Sequence, residues 1–227
     1  MCGRYNVTDD PFLQALLAGL RVDARLHTQL NIGPTEPVPV VFEEEGERQV
    51  RLMRWWLVPS WVPEISTRFS MFNAKAETLS TSKAFRGLAR HRRCILPASS
   101  FIEWTTVDGR KQPWLIRPAD GAFAFAGLWD VWEKDGNALE SCTIITVAAA
   151  RGIDRLHARM PLMLRPGQFD AWLDVHDGKH PPAAMLAPQL PGDIVVAPLG
   201  SAVNNSRHKN ASLLEPVGPA ERITPED

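Results

Sequence analysis

Between positions 94 and 147 the chain is a succession of short apolar or alternating runs, at 94–97, 101–105, 114–116, 123–132 and 142–147, and this segment most limits its possible folds. Asp108-Gly109 and Asp135-Gly136 fall between successive runs. Both dipeptides tolerate the positive φ that a two-residue hairpin loop demands, so they predict antiparallel strand pairs. Further strands are expected at 38–42 and 50–58, around the acidic stretch 43–47, which reads as a solvated hairpin tip, and at 194–199. Helices are few. Asp10-Pro11 ahead of Phe12, Leu13, Leu16, Leu17 and Leu20 reads as an N-cap, a first-turn proline and one apolar face. The spacing of Phe85, Leu88 and Ala89 predicts a helix over 83–93, ending in Arg90-His91-Arg92-Arg93, and a short helix is expected at 169–173. Nothing repeats and no stretch has linker composition. The expected fold class is α+β: a single compact β-rich domain over 1–222 with a few short helices, then a short flexible tail at 223–227.

Size and charge narrow the class of protein. A chain of 227 residues with 44% hydrophobic and 22% charged residues can bury one sizeable soluble core. No apolar run reaches the roughly 18–20 residues that span a bilayer, and no charged leader precedes an apolar stretch, so no membrane segment or signal peptide is expected. With a net charge of −1, any nucleic-acid site must be a local basic patch on a near-neutral surface. Eight Trp against one Tyr supply large faces, for core packing or for stacking on bases. The cysteines, Cys2, Cys94 and Cys142, contain no CxxC pair and fit a reducing cytosol. Cys94 and Cys142 sit in strand-like runs and read as small core residues.

Cys2 follows Met1 directly in Met1-Cys2-Gly3-Arg4-Tyr5. Position 2 is either an ordinary residue of a disordered start or, once Met1 is removed, a cysteine with both a free α-amine and a thiol. Ordinary pKa values of about 7.7–8.0 for the amine and about 8.5 for the thiol leave both partly nucleophilic at neutral pH. Such an amine condenses with an aldehyde to an imine, and the thiol then closes a five-membered thiazolidine. An internal cysteine cannot do this, because its nitrogen is tied up in a peptide bond.

Three other polar clusters stand in apolar surroundings. In Phe72-Asn73-Ala74-Lys75-Ala76-Glu77-Thr78, Asn73 is a turn amide or a positioning group, and Lys75 and Glu77 read as an exposed ion pair. In Phe101-Ile102-Glu103-Trp104 the carboxyl is either an outward-facing strand residue or a buried acid whose raised pKa suits proton donation. In Leu156-His157-Ala158-Arg159-Met160-Pro161, His157 is a satisfied core histidine or a proton carrier beside a phosphate-binding arginine. Asp174, His176 and His180 imitate metal spacing, but Asp177-Gly178 breaks any helix that would align them. Arg4, Lys75, Arg90, Arg92, Arg93, Arg159, Arg207 and Lys209 are scattered solvated charge unless they converge with an exposed Trp such as Trp61.

With these clusters in order, the chain resembles the SRAP (SOS-response-associated peptidase) family. The likeness is carried by Cys2-Gly3-Arg4, Asn31 before Gly33-Pro34, Trp56 to Trp61, and Asn73-Ala74-Lys75-Ala76-Glu77-Thr78. It continues through Phe101-Ile102-Glu103-Trp104, Ile145-Thr146-Val147-Ala148-Ala149-Ala150, His157-Ala158-Arg159-Met160-Pro161 and Ser201-Ala202-Val203-Asn204-Asn205. The resemblance implies a β-rich α+β fold and a sensor of abasic sites in single-stranded DNA that bonds covalently through the mature Cys2, with weak lyase activity. It implies Cys2, Asn73, Glu103 and His157 as catalytic positions, and Arg4, Lys75, Arg159 and Trp61 as DNA-binding ones. Lys75 stands where many relatives have Arg, keeping the charge and losing the bidentate geometry. No cofactor or metal is implied. A cytoplasmic monomer, nucleoid-associated when bound to abasic single-stranded DNA, is expected, with no membrane partner. Two rivals remain: an N-terminal-nucleophile cysteine peptidase, acting in trans or only on its own Met1, and a non-covalent single-strand binder.

Overall fold

Three tight hairpins organise the molecule, and each turns on a residue pair with positive φ. In the computed structural model, which describes residues 2–225, these pairs are Glu45-Gly46, Asp108-Gly109 and Asp135-Gly136. Two successive positive φ values give the type I′ geometry whose twist matches the flanking strands. In chain order the elements are β1 (Tyr5–Val7), α1 (Pro11–Gly19), β2 (Gln29–Ile32), β3 (Pro37–Glu44), β4 (Glu47–Trp55) and β5 (Asn73–Lys75). Then come α2 (Leu88–His91), β6 (Arg93–Ala98), β7 (Ser100–Val107), β8 (Arg110–Pro118), β9 (Phe123–Lys134) and β10 (Asn137–Ala148). The last are β11 (Arg159–Pro161), α3 (Phe169–Leu173), β12 (Ile194–Pro198) and β13 (Glu221–Ile223). The β-rich α+β expectation holds.

Strands β3, β4, β10, β9 and β6 close on themselves. β3 pairs antiparallel with β4 and β6, β6 with β9, and β9 with β10, and a short parallel contact of Ser141 and Cys142 with Arg54 and Trp55 completes the ring. β10 is long enough to continue beyond the ring, where β5 joins one of its edges in parallel and β11 the other antiparallel. The second sheet runs β13-β12-β8-β7-β1-β2.

The barrel is filled by Tyr5, Phe42, Trp55, Phe101, Phe123 and Phe125, with Tyr5 edge-on to Trp55 at 5.0 Å and Phe123 stacked on Phe125 at 5.6 Å. Where β9 lies between β6 and β10, Gly127 allows a close approach. A Cβ there would meet Leu96 Cδ1 at 2.4 Å and the Thr143 carbonyl at 2.8 Å. Cys94 and Cys142 are buried free thiols in this core.

Helix α1 starts as its sequence dictates: Asp10 accepts a hydrogen bond from the Leu13 N–H at 2.8 Å, and Leu13, Leu16 and Leu17 are buried. The helix expected over 83–93 is confined to α2, and Arg93 belongs to β6. Its buried guanidinium donates to the carbonyls of Trp172 (2.6 Å), Ala89 (2.9 Å), Lys179 (2.9 Å) and Asp174, a structural task that draws the strand out of the basic run. Within the stretch expected to be a tail, Ile223 pairs with Ile194 in β13–β12, while residues 226 and 227 lie outside the described residues. No helix among the described residues is long and apolar enough to cross a membrane.

Candidate active site

The two sheets meet where Cys2 enters β1. The Arg4 carbonyl accepts the Ile102 N–H at 2.9 Å, fastening the N-terminal segment to β7. Strand alternation then decides the fate of Glu103. Ile102 and Trp104 pack with Leu199 and Val203 on one face, whereas Phe101 and Glu103 point the other way, toward the barrel. Glu103 is therefore only 3% exposed, and the outward-facing alternative is excluded. From the barrel side, β5 brings Asn73 to Cys2: its Nδ2 donates to the Cys2 carbonyl at 2.8 Å. Asn73 Oδ1 is buried with no hydrogen-bond partner among the described residues. His157, just ahead of β11, completes the cluster and interacts electrostatically with Glu103. Two residues thus come from the six-stranded sheet and two from the extension of the barrel.

The electrostatics follow from burial. Desolvation raises the Glu103 pKa above the usual carboxylate range, with His157 and a hydrogen bond to the Trp104 backbone pulling it back in part. Cys2 is fully buried, and desolvation, followed by the nearby Glu103 carboxyl, pushes its thiol well above an ordinary cysteine. The ordinary thiol pKa expected from sequence does not hold, because a thiolate there would be both desolvated and set against a carboxyl. The Cys2 Sγ lies 3.8 Å from the Arg4 carbonyl. The Nδ1 of His157 lies 3.0 Å from the Arg159 backbone nitrogen and 3.1 Å from the Arg159 carbonyl oxygen, which holds the ring against the start of β11.

The cationic candidates divide. Arg4 is half-buried, donating to Asn31 Oδ1 at 2.7 Å and the Val203 carbonyl at 3.2 Å, and lies 5.6 Å from the Trp104 ring. Asn31, at φ 52°, in turn donates to the carbonyls of Val203, Asn205 and His208 and so ties the 201–209 segment to β2. Lys75 is exposed on β5. Arg159 forms a two-pronged ion pair with Glu77, both contacts 2.9 Å, and its Nε donates to Thr146 Oγ1 at 3.2 Å. The partner of Glu77 is thus Arg159 and not Lys75. Trp61 is 54% exposed on the 56–72 loop, with Lys83 Nζ 4.3 Å from its ring. Arg93 and Lys209 are structural, the latter donating to the Asn31 carbonyl at 3.0 Å and to Glu36. Asn31, Trp104 and Thr146 escaped assignment of a role from the residues themselves. Only the place of Trp104 beside Glu103 was a signal. Among the described residues, no group of three or more His, Cys, Asp or Glu could hold a metal ion.

Fold and site together define a small barrel-centred protein with a thiol, an amide, a carboxyl and an imidazole gathered at one sheet junction. The chain belongs to the SOS response associated peptidase (SRAP) family, whose sequence profile matches residues 1–206. Abasic site processing protein YoqW of Bacillus subtilis (strain 168) is 31% identical over 222 residues, covering 95% of this chain and 99% of that protein. Abasic site processing protein YedK of Escherichia coli (strain K12) is 28% identical, with 96% and 100% covered. Abasic site processing protein HMCES of Gallus gallus is 29% identical, with 86% and 68% covered. A crystal structure of a Bacteroides thetaiotaomicron protein shares the fold, with a TM-score of 0.81 at 22% identity over 95% of this chain and all of that one.

Proposed function

We propose that this protein senses abasic sites in single-stranded DNA and captures them covalently through the α-amine and thiol of Cys2. The observation that carries the reading is the burial of Glu103, with a raised pKa, beside Cys2, whose carbonyl Asn73 holds at 2.8 Å. An abasic deoxyribose presents an aldehyde once its ring opens. The Cys2 amine adds to that carbon, giving a carbinolamine. Protonated Glu103 donates to the hydroxyl, water leaves and an imine forms. The imine forms as its conjugate acid, because the carbinolamine nitrogen keeps its proton. The Glu103 carboxylate then takes the proton of the neutral thiol, sulfur bonds to the iminium carbon, and the π pair returns to nitrogen, so the thiazolidine closes as a neutral secondary amine with Glu103 protonated again. Asn73 orients Cys2 through its carbonyl and offers Oδ1 to the amine. His157 moves a proton to or from Glu103. Loss of the 3′ phosphate from the imine by β-elimination accounts for a weak lyase activity.

The chemistry requires removal of Met1, which lies outside the described residues. The names of the abasic-site-processing relatives support the substrate. The test is denaturing electrophoresis after mixing the protein with an abasic single-stranded oligonucleotide. A slow-migrating species that survives SDS and heat, absent with intact DNA and with Cys2→Ala, is expected. Reversible binding alone would leave a non-covalent binder.

A further inference from the structure

Segment 71–91 begins at the site and ends in positive charge. Its first residues, Met71 to Asn73, touch both the Cys2 cluster, through Asn73, and an apolar groove of about 440 Å³ lined by Val58, Trp61, Phe69, Met71 and Lys83, with Glu64 as its one carboxylate. Phe69 is 71% exposed. Lys83 also lines an adjoining hollow of about 410 Å³, together with Arg86, Arg90, His91 and His180 and no acidic residue. Arg86 carries no ion pair among the described residues, and Arg90 spends only its Nε, on the Gly178 carbonyl at 2.6 Å. The nearby Asp177 is already paired with Lys179 at 3.0 Å. On a chain of net charge −1, this is local cationic surface joined to exposed aromatic faces.

We infer that the hollow around Arg86 and Arg90 is a distal phosphate-binding track, over which the captured strand continues after leaving the Cys2 site and crossing the Trp61 groove. An aromatic groove that opens onto a cationic hollow suits a polyanionic single strand, whose bases stack on the former while its backbone neutralises the latter. An acidic peptide would have no use for stacking faces of this area. The inference rests on reading the Cys2 site as one that acts on a single strand, and it sets how much flanking strand the protein engages on one side of the lesion.

The track is tested with Arg86→Gln/Arg90→Gln in two measurements. The first is reversible binding of an undamaged single strand, which needs no chemistry at Cys2. Log affinity against log salt should flatten by about 1.4, two phosphate contacts at about 0.7 each. The second compares crosslinking to abasic oligonucleotides of about four and about sixteen nucleotides, the span of site sizes among single-strand binders. The variant should match the parent on the short one and lose the parent's gain on the long one, for an extension on one side of the lesion only. Arg86→Lys, which keeps the charge, should retain the slope. An unchanged salt slope overturns the track, and so does an equal loss on both lengths, which would place these residues at the Cys2 site or in the fold. Absence of any crosslink by the parent would refute the chemistry at Cys2 and leave the slope result to decide the track.

Discussion

Replacing Glu103 with Gln should move two quantities in opposite directions. The substitution keeps the volume of a side chain that is 3% exposed, and it keeps an oxygen for the Trp104 backbone, so no cavity opens and the strand register stands. What goes is the proton. General acid–base assistance is worth about 10²–10⁴-fold, or about 2.7–5.4 kcal/mol of barrier at about 1.36 kcal/mol per decade. Single-turnover crosslinking, with protein in excess and aliquots quenched onto a denaturing gel, should slow by that factor while reversible DNA binding is retained. Stability should rise. Burial lifts the folded pKa of Glu103 above its unfolded value near 4.3, so the folded state favours the protonated acid. That stabilisation is fully present below about pH 4.3 and is lost as pH rises through the folded pKa. Gln lacks the dependence, so the melting-temperature advantage of Glu103→Gln should grow across this window and level off above it. The same titration makes wild-type crosslinking decline as pH rises through the folded pKa, for as long as proton donation limits the rate. An unchanged single-turnover rate would refute the assignment, and a variant less stable at neutral pH would refute the argument from burial.

Cys2→Ser keeps the amine and should give an imine that borohydride traps, with no adduct that survives heat without reductant; an equally durable adduct would remove the thiol from the mechanism. Glu77→Gln frees Arg159 from its two-pronged pair and should tighten single-strand binding, steepening the salt slope by at most about 0.7 in a titration. No change would take Arg159 out of the phosphate contacts. Gly127→Ala places a Cβ 2.4 Å from Leu96 and 2.8 Å from the Thr143 carbonyl, and should cost about 1–3 kcal/mol by chemical denaturation. A parental midpoint would mean that β6 and β10 can give way.

The local rules of the chain were legible from its letters. Asp108-Gly109 and Asp135-Gly136 turn where two residues of positive φ are needed, and Asp10-Pro11 caps its helix, because such signals act within a few residues. The ordered clusters around Cys2, Asn73, Glu103 and His157 likewise marked the family. Glu103 remained undecided between two faces until the opposing packing of Ile102 and Trp104 fixed its direction. Closure of the barrel through two parallel residue pairs of β4 and β10 leaves no local trace. Arg93 read as part of a solvated basic run, yet it is drawn inside by carbonyls about 80 positions away. The bond between Asn73 and Cys2 joins positions 71 apart, and that between Arg159 and Glu77 positions 82 apart. Sequence alone determined which residue types and turns were available. Which charges are desolvated, which are paired and which meet at Cys2 was decided by non-local packing, since burial and electrostatic pairing depend on neighbours that only the closed fold supplies.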